Sequence, residues 1–301
     1  MSAQAVREFI NRHIPSATGL AALAAAIDAQ VNDAPLDSAL AARIQELLGA
    51  LGAGDALASL SAQEGRTFLA EIRHHLAFDG QLLYSDTRGI NWSCPDDKVL
   101  QAVGDFARDH AHALTQNVVP ALAGLSERFG APGAAFLDIG VGVAGLAIEM
   151  AELWPNIRIV GIDVWQPSLR LARKNVNAVG LRERIELREQ SADKLEDDNA
   201  FDLAWVPMIF MPEQVLPATT ERVLRALRPG GWVVFALANF GALDKTSAAF
   251  WRLRTTTWGG PLWAPDDVEK LMRDHGFVET RTLPAPHGVP VALVVGRRKP
   301  A

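Results

Sequence analysis

The sequence predicts an α/β protein built on a doubly wound, mostly parallel sheet, and three observations predict it. From about residue 130 onward, short apolar runs alternate with helical patterns. A Gly-x-Gly-x-x-Gly loop follows the first of those runs, and the last two runs are joined by a turn with no helix between them. Strands alternating with helices of this length build parallel sheets through crossover connections, whereas a connection without a helix makes an antiparallel pair. The expectation is a seven-stranded sheet with an antiparallel last hairpin, preceded by an N-terminal all-α region.

Taken in order, residues 1–128 are rich in alanine and leucine at helical spacing and contain no convincing strand. Leu40, Ile44, Leu47, Leu48 and Leu51 recur at three- and four-residue steps, the period of a helix with one apolar face. Ser61 followed by Glu64 reads as a capping box opening a helix through His74. Asp96 or Asp97 opens another, running to about Val119. Between these helices LLYSDTRGINWSCPDD reads as an ordered loop. FGAPGAA, residues 129–135, is a linker in which glycine and proline break the helix, so the expected domains are 1–128 and 129–301. In the second, strands are expected at AAFLDIG, RIVGID, RIELREQ, FDLAWV, GWVVFALAN, VETRTL and VPVALVVGRR. Helices are expected over 143–153, 168–178 and 215–227 and within PDDVEKLMRDHGF.

Composition narrows the function. A net charge of −6 and the absence of any run of five or six basic residues argue against nucleic acid as a partner. The one cysteine, Cys94, excludes an internal disulfide. Arg7, Glu8, Asn11, Arg12 and His13 interrupt the N-terminal apolar runs, and no apolar stretch is expected to reach the roughly 18 residues that span a bilayer. The expectation is a cytoplasmic protein with no membrane segment.

The chemistry is carried by FLDIGVGVAGLAIEM. Gly140, Gly142 and Gly145 complete the glycine motif between a strand and a helix, and Asp163 ends the next strand 23 residues beyond Gly140. In such sheets ligands bind at the carboxyl ends of the strands, where Asp163 would reach the ribose hydroxyls of an adenosine. These features suit NAD and S-adenosylmethionine equally. Asp138, two residues before the first glycine, separates them. A carboxylate there repels a pyrophosphate and favours the sulfonium and ammonium of S-adenosylmethionine. Two other readings stay open: an NAD-dependent oxidoreductase, and a methyltransferase-like module that binds without turnover or runs other chemistry in the same pocket.

The sequence resembles the class I S-adenosylmethionine-dependent methyltransferases over roughly residues 130–298. LDIGVGVAG stands where that family has its first motif, GIDVW where it has the ribose-binding acid, and LRALRPGGWVVF where it has a helix, a Pro-Gly-Gly turn and the fifth strand. WAPDDVEKLMRDHGF resembles the helix before the final hairpin. The resemblance implies that Gly140, Gly142 and Gly145 let the backbone approach the methionine moiety. It implies that Asp163 takes the ribose and that Val164 or Trp165 packs on the adenine. Ser191 and Ala192 stand where the family commonly has Asp-Ala, so the adenine contact is expected to be weaker or to be supplied by Asp193. Trp205, Val206 and Pro207 would flank the sulfonium. Relatives that use a general base commonly carry histidine after the fourth strand, but here that segment is PMIFMPEQ.

Candidates for the remaining roles are scattered. Tyr84, Asp86 and Arg88 lie in the loop that could cap the cofactor, Tyr84 also being a catalytic candidate alongside His110, His112 and His287. No metal site is assigned. The segment Asn239–Trp263 carries Trp251, Trp258 and Trp263, and with Trp205, Met208 and Phe240 it is the expected acceptor-facing surface. Its composition suggests a small, largely apolar or aromatic metabolite; packing of the same tryptophans between elements is the competing account. The N-terminal helices are expected either to cover the site or to form a homodimer.

Overall fold

A computed structural model describes residues 2–54, 57–84, 96–284 and 290–301. The chain divides into two compact units, residues 1–86 and 87–301.

The first unit holds helices α1 (Ala3–Val31), α2 (Ser38–Ala50) and α3 (Ala62–Tyr84). Asp37 opens α2 by accepting from Ala39 N at 2.9 Å and Leu40 N at 3.2 Å. The capping box at α3 forms as expected: Glu64 N donates to Ser61 Oγ (3.2 Å) and Ser61 N to Glu64 Oε2 (2.9 Å). Two orphan N–H groups of the helix start are thereby satisfied. The helix continues ten residues past His74, because Leu76, Ala77 and Phe78 prolong the helical pattern and Gly80 is tolerated inside it. Ile27, Ile44, Leu48, Leu57 and Leu69 form the core of this unit. One expectation fails here. α1 is long and apolar enough to cross a membrane by length and composition, because its charges cluster in the first turns and leave Asp28 alone in residues 14–31.

The second unit begins with α4 (Asp97–Ala113), capped by Asp96 accepting from Lys98 N at 2.8 Å. A π-helical turn (Leu114–Val118), a short turn ending at Ala121 and α5 (Leu125–Gly130) lead into the sheet. Then follow β1 (Ala135–Ile139), α6 (Gly145–Leu153), β2 (Arg158–Asp163), α7 (Gln166–Ala178), β3 (Ile185–Glu189), β4 (Phe201–Pro207) and α8 (Leu216–Ala226). β5 (Leu227–Ala238), α9 (Lys245–Trp258), α10 (Pro265–Asp274), β6 (Val278–Leu283) and β7 (Val291–Arg297) complete the unit. The strand order is β3-β2-β1-β4-β5-β7-β6, with β7 antiparallel to both neighbours and the other pairs parallel. This is the expected architecture, and order reverses between β1 and β4, where such sheets bind ligands.

Phe136, Leu203, Trp205, Trp232 and Val234 bury one face of the sheet; Leu137, Ala204, Val206, Val233 and Phe235 bury the other. Trp232 is fully buried and its Nε1 donates to Ala123 O at 3.2 Å. Removing roughly 200 Å² of such a ring from water is worth at most about 5 kcal/mol. The boundary expected at residue 128 falls inside this unit, because α4 packs directly on α6. A Cβ on Gly145 would stand 1.9 Å from the Gly104 carbonyl oxygen, and one on Gly104 would stand 1.9 Å from Val143 Cγ2. Glu149 of α6 joins the pair by meeting Arg108 at 3.2 Å and His112 at 3.1 Å.

Candidate active site

After β1 the chain turns through residues whose backbone is left-handed: Gly140 (φ +67°), Gly142 (φ +56°) and Ala144 (φ +67°). Glycine adopts that region without steric cost, and Ala144 holds it as the cap of α6. Gly140 N and Val141 N both donate to Ile162 O, at 2.8 and 3.0 Å, so the loop hangs from the end of β2. A side chain on Gly142 would meet nothing nearer than Gly140 O at 3.9 Å. That opening suits close approach by a ligand. Gly145 differs: the contact with Gly104 accounts for its missing side chain.

Asp163, at the end of β2, clamps the loop. Its Oδ2 accepts from Gly142 N at 2.9 Å and its Oδ1 from Trp165 N at 2.8 Å. Burial pushes the carboxyl upward, while N–H groups of Trp165, Gly142 and Val164 pull against that shift. Each oxygen keeps acceptor capacity for a ligand hydroxyl.

Asp138 is in the opposite condition. It is 2% exposed, and its Oδ2 is buried with no hydrogen-bond partner among the described residues. Burial, with the Asp163 charge adding to it, pushes its carboxyl up to about 8. A buried, unpaired acceptor of this kind costs several kcal/mol if ionised. The site therefore calls for a cation or a hydrogen-bond donor beyond the described residues.

Around this pair, Val164 is exposed and Trp165 half-buried, leaving surface for a flat ring. Ser191 Oγ donates to Asp193 Oδ1, and Ala192 is buried beside them. Trp205 is the register partner of Asp138 across β1 and β4, and Pro207 Cγ lies 3.3 Å from where a Gly140 Cβ would be. Val206 and Met208 belong instead to the core on the other sheet face, where their side chains are fully buried. Strand alternation places Val206 there, and both side chains lie in a core other than the one that holds Trp205.

The expected acceptor surface divides. Asn239 and Phe240 are half-buried just after β5, with Arg252 over the Phe240 ring at 5.3 Å. Trp258 is buried against Phe210 (4.9 Å between centroids) and Trp251 (6.2 Å). Trp263 packs on the second core. Packing thus accounts for Trp258, against Phe210 and Trp251, and for Trp263, on the second core.

Of the histidines, His110 stands over Trp205 at 6.2 Å between ring centroids and against Phe106 at 5.3 Å. Burial pushes its imidazole down to about 4. His112 faces Glu149 and lies in the α4–α6 contact. Asp86, Arg88 and His287 lie outside the described residues, and for Tyr84 only its place as the last residue of α3 is described. Three residues were missed by sequence reasoning: Gly104, Phe106 and Asn175, whose Nδ2 donates to Val143 O at 3.0 Å and Gln101 Oε1 at 3.1 Å. A glycine inside a helical pattern was the one available signal.

A model described as a methyltransferase domain matches residues 136–231. Demethylmenaquinone methyltransferase of Desulfitobacterium hafniense is 33% identical over 189 residues, 56% of this chain and 74% of the relative. Carboxy-S-adenosyl-L-methionine synthase of Actinobacillus succinogenes is 28% identical over 144 residues, 47% of this chain and 59% of the relative. The chain spans between 26% and 59% of the length of three curated relatives it matches. The fold is similar to human N-acetylserotonin methyltransferase solved with SAM, at a TM-score of 0.60 and 16% identity, covering 99% of this chain and 100% of that one.

Proposed function

The chain belongs to the class I S-adenosylmethionine-dependent methyltransferases, and on that premise we propose that it transfers the methyl group of S-adenosylmethionine to a small, largely apolar or aromatic metabolite. The observation that carries this reading is Asp138: a buried carboxyl whose Oδ2 has no partner among the described residues, beside an open glycine turn. The residues fit the cofactor. Asp138 would take its ammonium, Gly140 and Gly142 leave room for the methionine chain, Asp163 keeps lone pairs for ribose hydroxyls, and Val164 with Trp165 would flank the adenine. When bound, S-adenosylmethionine supplies an electrophilic methyl on a sulfonium. The protein's part is then chiefly to align nucleophile and methyl and to exclude water.

The acceptor class rests on half-buried Phe240 and buried Trp205 near the strand ends, with the quinone-related name of the Desulfitobacterium relative in support. A net charge of −6 supports an acceptor other than nucleic acid. Exposed Val6, Phe9, Ile10 and Ile14 on α1 support self-association of the chain. A second reading, other chemistry in the same pocket, is favoured by the Actinobacillus relative, which is named a synthase rather than a methyltransferase.

Thermal unfolding with ligands tests the cofactor assignment. S-adenosylhomocysteine at 100 times its dissociation constant should add about 2.7 kcal/mol. A shift with NAD and none with S-adenosylhomocysteine would overturn the reading. Mass spectrometry of methylated product, against carboxymethylated product, separates the two chemistries.

A further inference from the structure

We propose that His110 is the residue that takes the proton from the methyl acceptor, and that the acceptor group is a hydroxyl on a flat, unsaturated ring held between Phe106 and Trp205. This rests on the methyltransferase reading above. The segment after β4, Met208–Phe210, supplies no titratable side chain, and the two carboxylates at the glycine loop are committed: Asp163 to the backbone, Asp138 to charge complementarity. A proton acceptor has to come from elsewhere in the fold.

α4 supplies it because its packing is fixed at two points. Gly104 lies against Gly145 at the start of α6, and Arg108 and His112 both reach Glu149. Those contacts fix the helix's rotation, so His110 turns toward the sheet instead, over Trp205. Trp205 is level with Asp138 in the strand register, so the imidazole stands beside the strand ends that build the site. Its ring contacts are aromatic, with Phe106 edge-on and Trp205 tilted by 38°. It makes no hydrogen bond or ion pair with a described residue. By contrast, His112 Nε2 lies 3.1 Å from Glu149 Oε1 and His275 Nδ1 lies 2.8 Å from Leu271 O. Burial favours the neutral ring, so the lone pair needed by a base is present at neutral pH.

The step balances without a further reactant. The acceptor oxygen forms its bond to the methyl carbon as the carbon–sulfur bond breaks, and the oxygen's proton passes to the free nitrogen of His110. The imidazolium returns that proton to water after the products leave. A ring hydroxyl is the group that needs such help at neutral pH and can stack between the two aromatic side chains.

The test uses the full chain with two probes of one shape, phenol and thiophenol, at mildly alkaline pH, where phenol keeps its proton and thiophenol has lost it. His110→Gln should lower kcat for phenol about 100-fold while leaving thiophenol within about threefold. Added imidazole should restore phenol methylation by His110→Ala. Equal loss on both probes, or no loss on phenol, overturns the assignment of His110 while methyl transfer stands. Transfer to neither probe by the wild-type chain, with S-adenosylhomocysteine still bound in calorimetry, overturns the ring-hydroxyl acceptor. Absence of S-adenosylhomocysteine binding overturns the underlying reading instead. The wild-type chain supplies a readout independent of variants. Diethyl pyrocarbonate should modify His110, seen by mass spectrometry, and phenol with S-adenosylhomocysteine should protect it; an unmodified or unprotected His110 counts against the proposal.

Discussion

Asp138→Asn isolates the charge that the site is built around. In the folded chain the Asp138 carboxyl is pushed up to about 8, against an ordinary value near 3.9 in an unfolded chain. Between those values the folded protein holds a proton that the unfolded chain has released. Stability therefore falls as pH rises through that window, by about 1.4 kcal/mol per pH unit while the difference is one proton. From about pH 5 to about pH 7 the loss is on the order of 2–3 kcal/mol. Asparagine has the same shape and does not titrate, so the variant should be the more stable protein at neutral pH, with a flatter profile. Asp163, whose carboxyl is also pushed up, keeps its own slope in both proteins, so the difference between the two curves belongs to Asp138.

Cofactor binding should invert the advantage. The ammonium of S-adenosylmethionine favours the ionised carboxylate, so the wild-type protein should release up to one proton on binding near neutral pH. The variant should release fewer and bind about 10–150-fold more weakly, the cost of roughly 1.5–3 kcal/mol for a lost charged hydrogen bond. Calorimetry in two buffers of different ionisation enthalpy measures both quantities. Equal affinity together with equal proton release would show that Asp138 does not face the cofactor.

Three further outcomes are expected. Asp163→Ala should weaken S-adenosylhomocysteine binding by about 1.5–3 kcal/mol in calorimetry. It should also lower the melting temperature, because the N–H groups of Gly142 and Trp165 lose their acceptor; unchanged binding would mean that the acid serves only the loop. Gly145→Ala should destabilise by about 1–3 kcal/mol or more in urea titration, since the new methyl would stand 1.9 Å from the Gly104 carbonyl; a neutral result would remove helix packing as its reason. A fragment of residues 87–301 should fold and bind S-adenosylhomocysteine, whereas one beginning at residue 129 should lose cooperative unfolding, because it lacks α4; equal melting curves for the two would refute that boundary.

The sheet was legible because each strand is an apolar run bounded by turn residues, and β2 and β6 match their expected limits. The boundary near residue 128 was not, because an amphipathic pattern says that a helix has a face to bury and not which element receives it. Contacts between residues far apart in sequence, Gly104 with Gly145 and Arg108 and His112 with Glu149, decide that α4 belongs with the sheet. α9 was legible in principle: Asp244 caps it through Thr246 N (2.9 Å) and Ser247 N (3.1 Å), and Gly259 ends it in left-handed backbone. Three tryptophans in that segment suggested a binding surface, yet Trp258 is buried against Phe210 and Trp251. At the site the sequence named both acids, but it could not divide their labour. That Asp163 spends its oxygens on the glycine loop while Asp138 keeps one free is a property of the folded backbone alone.

That division also sharpens the contrast with a dinucleotide. Two like unit charges about 4 Å apart repel by roughly 4 kcal/mol at the effective dielectric near a protein surface. A pyrophosphate over Gly140 and Gly142 would meet that cost from an ionised Asp138. Since the Asp138 carboxyl is pushed up to about 8, it could escape the repulsion by staying protonated, and stability alone would then not separate the ligands. The sign of proton linkage does. A phosphate-bearing ligand must hold the Asp138 proton or take one up. A ligand presenting an ammonium must drive that proton off. Proton uptake with NAD would place a phosphate at the loop, whereas proton release with S-adenosylmethionine, reduced in Asp138→Asn, would place a cation there.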